Sequence, residues 1–75
     1  MARPRVILYS KDGGCELCDE AASMLDAMEE QYEVRTEAVF AERVPVITVD
    51  GRVVTEGRVS ERAVRRALKH PRPTP

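Results

Sequence analysis

The strongest structural signals of the chain lie in the segment Val6-Ile7-Leu8-Tyr9, followed by Gly13-Gly14 and by Cys15-Glu16-Leu17-Cys18. The apolar run at its start predicts a strand buried on both faces, and an apolar stripe with helical spacing begins within the cysteine pair. The two cysteines are therefore expected where this strand leads into a helix. Free backbone N–H groups and a positive dipole at that end of a helix stabilise a thiolate.

The spacing of the two cysteines predicts redox chemistry. A Cys-x-x-Cys motif beside a β-α-β pattern is typical of a thioredoxin-like dithiol, and residues i and i+3 of a helical turn are close enough to bridge. Cys15, at the helix start, is expected to be exposed and to act as the attacking thiol. Cys18, one turn further in, is expected to be more buried and to resolve the mixed disulfide.

A metal site is the alternative interpretation of the same pair. Structural zinc takes four ligands, whereas this chain offers two cysteines and the distant His70. A zinc or iron–sulfur site would therefore have to be shared across a dimer. A third hypothesis is an inactive accessory domain, which has the fold but catalyses no reaction.

Size and composition exclude several classes of protein. The 75 residues predict one domain over residues 1–75, with a core at about 5–69 and a disordered tail at 70–75. Two cysteines are too few for a disulfide-stapled secreted scaffold. The net charge of -1, with acids and bases interspersed, does not indicate the basic surface that binds nucleic acid.

A cytoplasmic location is expected. The opening Met1-Ala2-Arg3-Pro4-Arg5 lacks the apolar run of a signal peptide, and no segment approaches the roughly 20 apolar residues that span a bilayer. No membrane partner is expected either. In a reducing compartment a Cys-x-x-Cys motif is more often catalytic or metal-binding than structural.

The remaining patterns predict an α/β domain with the order β-α-β-(short turn)-β-β-α. Predicted strands lie at residues 5–10, 32–38, 45–49 and 52–55, and predicted helices at 15–31 and, after the N-cap Ser60, at 61–69. Asp50-Gly51 predicts a two-residue type I′ hairpin between the last two strands. The residues of the first helix expected to face the core are Leu17, Ala21, Met24, Leu25 and Met28.

This order predicts a minimal thioredoxin-like fold with a four-stranded mixed sheet. Residues 39–43 leave room for only one turn where such folds place their second helix, so that helix is expected to be largely missing. One face of the sheet should then be thinly covered. Either a homodimer formed through this face or Phe40 folded over it is expected.

Pro45 is expected to follow a cis peptide bond. It opens the third strand, where a missing N–H is tolerated. Its place in the chain order after the Cys-x-x-Cys motif favours a cis Val44–Pro45 bond over the commoner trans form. The start of the third strand is expected to face the dithiol.

Five segments carry a resemblance to a known family. They are Ile7-Leu8-Tyr9-Ser10, Cys15-Glu16-Leu17-Cys18-Asp19-Glu20, Arg43-Val44-Pro45-Val46, Val49-Asp50-Gly51 and Glu56-Gly57-Arg58. Over about residues 5–69 the chain resembles small bacterial glutaredoxin-like proteins. The resemblance implies a glutaredoxin-like fold and thiol–disulfide oxidoreductase activity, with Cys15 as nucleophile and Cys18 as resolving thiol. It also implies that the backbone of Val44 pairs with the substrate.

The resemblance further implies a substrate surface and partners. The residues of that surface would be Lys11, Gly14, Glu16, Leu17, Arg43, Val44, Pro45 and Gly57. A disulfide-containing protein or glutathione would be the substrate, a reductase or glutathione the electron donor, and no resident cofactor is implied. The chain departs from better-known glutaredoxins in having Glu16-Leu17 between the cysteines where they have Pro-Tyr, and Arg43 where they have Thr.

Overall fold

The computed structural model describes residues 4–11 and 15–69 of the chain. The elements, in chain order, are β1 (Val6–Tyr9), α1 (Glu16–Ala27), β2 (Glu33–Arg35), a single 3-10 turn (Ala38–Phe40), β3 (Val46–Val49), β4 (Arg52–Glu56) and α2 (Glu61–Lys69). Neither helix within these ranges has the length and the apolar composition that a membrane span requires. The predictions for Gly14 and for the tail at 70–75 lie outside the described residues.

The four strands form one mixed sheet in the order β2-β1-β3-β4. β1 pairs in parallel with β2 and antiparallel with β3, and β3 and β4 form an antiparallel hairpin. A parallel pair needs a crossover between its strands, and α1 supplies it. The predicted fold class, a minimal thioredoxin-like α/β domain with its second helix reduced to one turn, is confirmed.

The hairpin between β3 and β4 is closed by Asp50 and Gly51. Their φ angles are 51° and 83°, so both residues lie in the left-handed region that a type I′ turn requires. Two hydrogen bonds join the turn to the residue before β1. The N–H of Asp50 donates to the carbonyl of Arg5 at 2.8 Å, and the Oδ1 of Asp50 accepts from the N–H of Arg5 at 2.9 Å. The hairpin therefore aligns β3 against the central strand.

The main core lies between one face of the sheet and the two helices. Alternation along a strand sends every second side chain to this face. The buried residues of this core are Val6, Leu8, Ala21, Leu25, Ile47, Val49 and Val64. At the start of α2, Ser60 accepts a hydrogen bond from the N–H of Ala63 at 3.1 Å, which confirms the predicted N-cap.

Helix α1 differs from its prediction at both ends. Leu17, predicted to face the core, is 37 % exposed, and Cys18 is buried at 6 % instead. Cys18, Ala21 and Leu25 follow one another at intervals of three and four residues and therefore form the buried stripe. Leu17 lies to one side of that stripe.

The same helix ends at Ala27 rather than at residue 31, because Glu29 adopts a left-handed conformation with a φ of 59°. The N–H of Glu29 donates to the carbonyl of Asp26, and the N–H of Glu30 donates to that of Leu25. This pair of bonds is the Schellman motif, which satisfies the last carbonyls of a helix.

β2 is shorter and more exposed than predicted. The predicted strand covered residues 32–38, whereas β2 covers only Glu33–Arg35, and all three residues are exposed. Tyr32 instead packs against the core, and its hydroxyl donates to Asp26 Oδ1 at 3.1 Å. Burial and this hydrogen bond raise the pKa of Tyr32 above its usual value. Tyr32 thus anchors the chain to the end of α1.

The opposite face of the sheet is covered by the 3-10 turn. Ile7, Val46 and Thr48 point to this face and are at most 6 % exposed. The ring of Phe40 lies 4.4 Å from that of Tyr9, and the guanidinium of Arg43 lies 5.5 Å over Phe40. Phe40 therefore folds onto the face that the short second helix was expected to leave thinly covered. A homodimer through this face stays a prediction.

Replacing Phe40 with Ala should destabilise the domain by about 2 kcal/mol, roughly half the loss for a fully buried ring, because Phe40 is half-buried against Tyr9. The matched control is Val39→Ala in the same turn, where the side chain is 70 % exposed. Denaturant unfolding measures both variants, and sedimentation reports whether either one changes the oligomeric state. Equal stability of the two variants, with an unchanged sedimentation coefficient, would contradict the assigned role of Phe40.

Glu33 should make part of the stability depend on pH. Its carboxylate accepts a hydrogen bond from Arg5 Nε at 3.0 Å and from Arg35 Nε at 3.1 Å, and the contact with Arg5 is the main cause that lowers the pKa of Glu33. A lowered pKa gives stability that is present above the unfolded pKa, about 4.3, and is lost as the pH falls through the folded value. We expect Glu33→Gln to unfold more easily than the parent at pH 6 but not at pH 2, as followed by denaturant titration. The exposed control Glu42→Gln should show no such pH-dependent difference.

Candidate dithiol site

Cys15 and Cys18 are joined by a disulfide at the start of α1, with their Cα atoms 5.2 Å apart. Cys15 is the N-cap of the helix, in an extended conformation. Its Sγ accepts a hydrogen bond from the N–H of Cys18 at 3.1 Å, and its carbonyl accepts from the N–H of Asp19 at 3.0 Å. The sulfur of Cys15 thus occupies the position where a capping oxygen usually lies, and in the reduced protein the same N–H and the helix dipole would stabilise its thiolate.

The two sulfurs differ in exposure as predicted. Cys15 is half-buried, whereas Cys18 is 6 % exposed and belongs to the stripe that α1 packs against the sheet. An incoming sulfur can therefore reach Cys15 far more readily than Cys18. This difference is what a nucleophile and a resolving thiol require.

A cleft of about 190 Å³ opens beside the disulfide. It is lined by Leu8, Ser10, Lys11, Cys15, Cys18, Asp19, Ala22 and Val34. Lys11 and Asp19 bring opposite charges to its wall, and Val34, 60 % exposed, brings an apolar surface. A larger depression of about 400 Å³ is lined by charged residues of α2 and includes neither cysteine.

Sequence reasoning missed five of the lining residues, namely Leu8, Ser10, Asp19, Ala22 and Val34. One signal for Val34 was available. Parallel pairing of β1 with β2 places Val34 opposite Leu8, and Leu8 lies on the side of the sheet that α1 covers. Recognising that β2 is a short edge strand would therefore have placed Val34 beside the cleft.

The Val44–Pro45 peptide bond, expected from the sequence to be cis, is cis. The Pro45 side chain is buried, and its carbonyl accepts a hydrogen bond from the N–H of Gly57 at 2.9 Å. Gly57 has a φ of 68°, a conformation that glycine adopts without strain. Outside the ladders of the sheet, no described residue hydrogen-bonds to the backbone of Val44.

The other residues predicted to contact substrate fall into two groups. Lys11 lines the cleft, and Glu16 and Leu17 lie exposed in the first turn of α1 between the two cysteines. Arg43 does not line the cleft, since its guanidinium pairs with Glu56 and lies over Phe40. The structure therefore gives Arg43 a structural contact on the second face of the sheet.

Metal-ligating side chains do not cluster in the part of the chain that the structure describes. No group of three or more His, Cys, Asp or Glu residues there could hold a metal ion. His70, the one further ligand considered from the sequence, lies outside that part. A metal site shared between two chains stays a hypothesis.

Comparison with known proteins assigns the chain to no family. No family model matches the chain, and a search of curated proteins found no match. The resemblance to glutaredoxin-like proteins therefore stays a prediction, and the geometry of the dithiol carries the functional inference.

Glu16 should make the site less oxidising. A carboxylate beside the nucleophile disfavours the thiolate, so Glu16→Gln should lower the pKa of the Cys15 thiol in the reduced protein. A more stable thiolate favours the reduced form, so the same change should raise the reduction potential. Ultraviolet titration of the thiolate and equilibration in glutathione redox buffers measure the two effects. Glu30→Gln, beyond the far end of α1, is the matched control, and a rise or no change in the Cys15 pKa would refute the prediction.

Proposed function

We propose that the protein is a thiol–disulfide oxidoreductase of glutaredoxin-like type that reduces disulfides through Cys15 and Cys18. One observation carries the proposal. The Sγ of Cys15 caps α1 and accepts a hydrogen bond from the N–H of Cys18 beside an open cleft, while Cys18 is only 6 % exposed. An activated outer sulfur and a protected inner sulfur form the pair that disulfide exchange needs.

The reaction proceeds in two exchanges. The Cys15 thiolate attacks one sulfur of the substrate disulfide, a Cys15–substrate disulfide forms, and the other substrate sulfur leaves as a thiolate. The Cys18 thiol then loses its proton and attacks Cys15 Sγ, which forms the Cys15–Cys18 disulfide and releases the second substrate thiol. Two electrons have passed to the substrate, and a thiol reductant, either glutathione or a reductase, returns the protein to its dithiol form.

Substrate position is proposed from the surroundings of the cysteines. An extended substrate segment would pair with the backbone of Val44, whose groups make no hydrogen bond with another described residue outside the sheet ladders. Leu17 would contact an apolar part of the substrate, since it stands 37 % exposed between the cysteines. A cytoplasmic, reducing environment is the setting in which such a dithiol reduces rather than oxidises its substrates.

Cys18→Ser should trap the first exchange. Without a resolving thiol, the mixed disulfide through Cys15 has no internal route to breakdown and should accumulate as a stable adduct. We expect one substrate thiol per protein molecule by intact mass spectrometry, with peptide mapping that places it on Cys15. Cys15→Ser is the matched control and should form no such adduct. Turnover by Cys15→Ser, or an adduct at another residue, would overturn the assignment of Cys15.

A further inference from the structure

The charged residues of α1 and of the segment that directly follows it are all of one sign. Between Cys15 and Gln31 there are six carboxylates and no Lys, Arg or His. These carboxylates are Glu16, Asp19, Glu20, Asp26, Glu29 and Glu30. The net charge of -1 for the whole chain hides this segregation, because α2 carries most of its charge as Arg and Lys.

Three of these carboxylates lie in the first turns of α1, next to the dithiol. Glu16 directly follows Cys15, and Asp19 lines the cleft and donates its N–H to the carbonyl of Cys15. Glu20 follows Glu16 by four residues and therefore projects from the same side of the helix. All three residues are exposed, so their charges reach a molecule that approaches Cys15 from solvent.

Fewer positive than negative charges lie near the dithiol. Lys11 is the cation among the described residues that line the cleft. Arg35 is next to the cleft, because its carbonyl accepts a hydrogen bond from the N–H of the lining residue Ser10. The guanidinium of Arg35, however, is paired with Glu33 and Glu37. The helix dipole adds about half a positive charge. Three carboxylates therefore outweigh one ammonium and the dipole.

On the basis of the proposed oxidoreductase function, we propose that Glu16, Asp19 and Glu20 select substrates by charge. The dithiol reacts faster with disulfides flanked by cationic groups than with anionic disulfides, of which oxidised glutathione is one. Like charges at the reacting end lower the rate of encounter, and opposite charges raise it, by an amount that salt screens. The natural substrate class is thus a peptide or protein disulfide set among Lys or Arg residues.

Three small disulfides test the proposal in a single turnover. The protein is reduced, freed of reductant and mixed with cystamine, with bis(hydroxyethyl) disulfide or with dithiodipropionate, which carry cationic, neutral and anionic ends. In each case the protein dithiol becomes the Cys15–Cys18 disulfide and the substrate becomes two thiols. Each rate is divided by the rate of dithiothreitol with the same disulfide, which removes the intrinsic difference between leaving thiols.

We expect the normalised rate for cystamine to exceed that for dithiodipropionate by about tenfold at low ionic strength. The preference should fall towards one at about 0.5 M salt, because the Debye length then shortens to a few ångströms. Lys11→Gln should increase the preference, since it removes the opposing charge from the cleft.

A pair of charge-matched variants locates the effect. Glu16→Gln with Glu20→Gln should reduce the preference severalfold, whereas Glu29→Gln with Glu30→Gln removes the same number of charges near the other end of α1 and should leave it unchanged. The effect of Glu16 on the Cys15 thiol alters all three rates by the same factor and so does not alter their ratio. Circular dichroism and melting establish that each variant is folded.

The outcomes separate the proposal from the function on which it rests. If the reduced protein reacts with none of the three disulfides, the oxidoreductase function itself is wrong. If it reacts with all three at equal normalised rates, or fastest with the anionic one, the function stands and charge selection is overturned. Equal loss of preference in both paired variants would show that the net charge of the protein, rather than the residues beside the dithiol, sets the rates.

Discussion

The position of the dithiol depends on one packing constraint, the burial of a single stripe of α1 against the sheet. β1 and β2 are parallel, so α1 must carry the chain back across one face between them. Ala21 and Leu25, both fully buried, determine which side of the helix faces the strands. Cys18 lies on the same stripe one turn earlier, and Cys15 is thereby left at the rim of the sheet. The accessible and the buried sulfur are therefore both consequences of how an apolar helix face packs.

The second face of the sheet is covered with very little chain. In place of a full helix, one 3-10 turn brings the Phe40 ring onto Tyr9, and the Arg43 guanidinium covers Phe40 while it pairs with Glu56. The aromatic contact excludes water from the strands beneath, and the ion pair holds the outer side of the turn. A small domain can therefore dispense with an element if one aromatic side chain reaches the exposed strands.

The sequence predicted the features that have strong local causes. The Asp50-Gly51 hairpin, the Ser60 cap and the order of the elements follow from backbone preferences and apolar periodicity, and all are present. The differences arose where tertiary packing decides the outcome. Leu17 is exposed, contrary to the prediction, because the rotation of α1 about its axis depends on the strands against which it packs. The second strand was predicted too long because an exposed edge strand has little apolar pattern that marks its ends. Arg43 was assigned to the substrate surface from the resemblance, and that role stays a prediction, whereas its contact with Glu56 joins residues far apart in the sequence and could not be predicted.

The burial of Cys18 ties the redox state of the protein to the stability of its fold. A thermodynamic cycle connects the folded and unfolded chain in their oxidised and reduced forms, so any difference in folding free energy between the two forms appears as a difference in reduction potential. The Cys18 sulfur packs in the same stripe as Ala21 and Leu25, and its change from a disulfide to a thiol takes place within this small core. A residue far from the cleft that holds α1 in place, such as Tyr32 at its far end, would therefore shift the reduction potential of the cysteine pair to the extent that it stabilises one redox form more than the other.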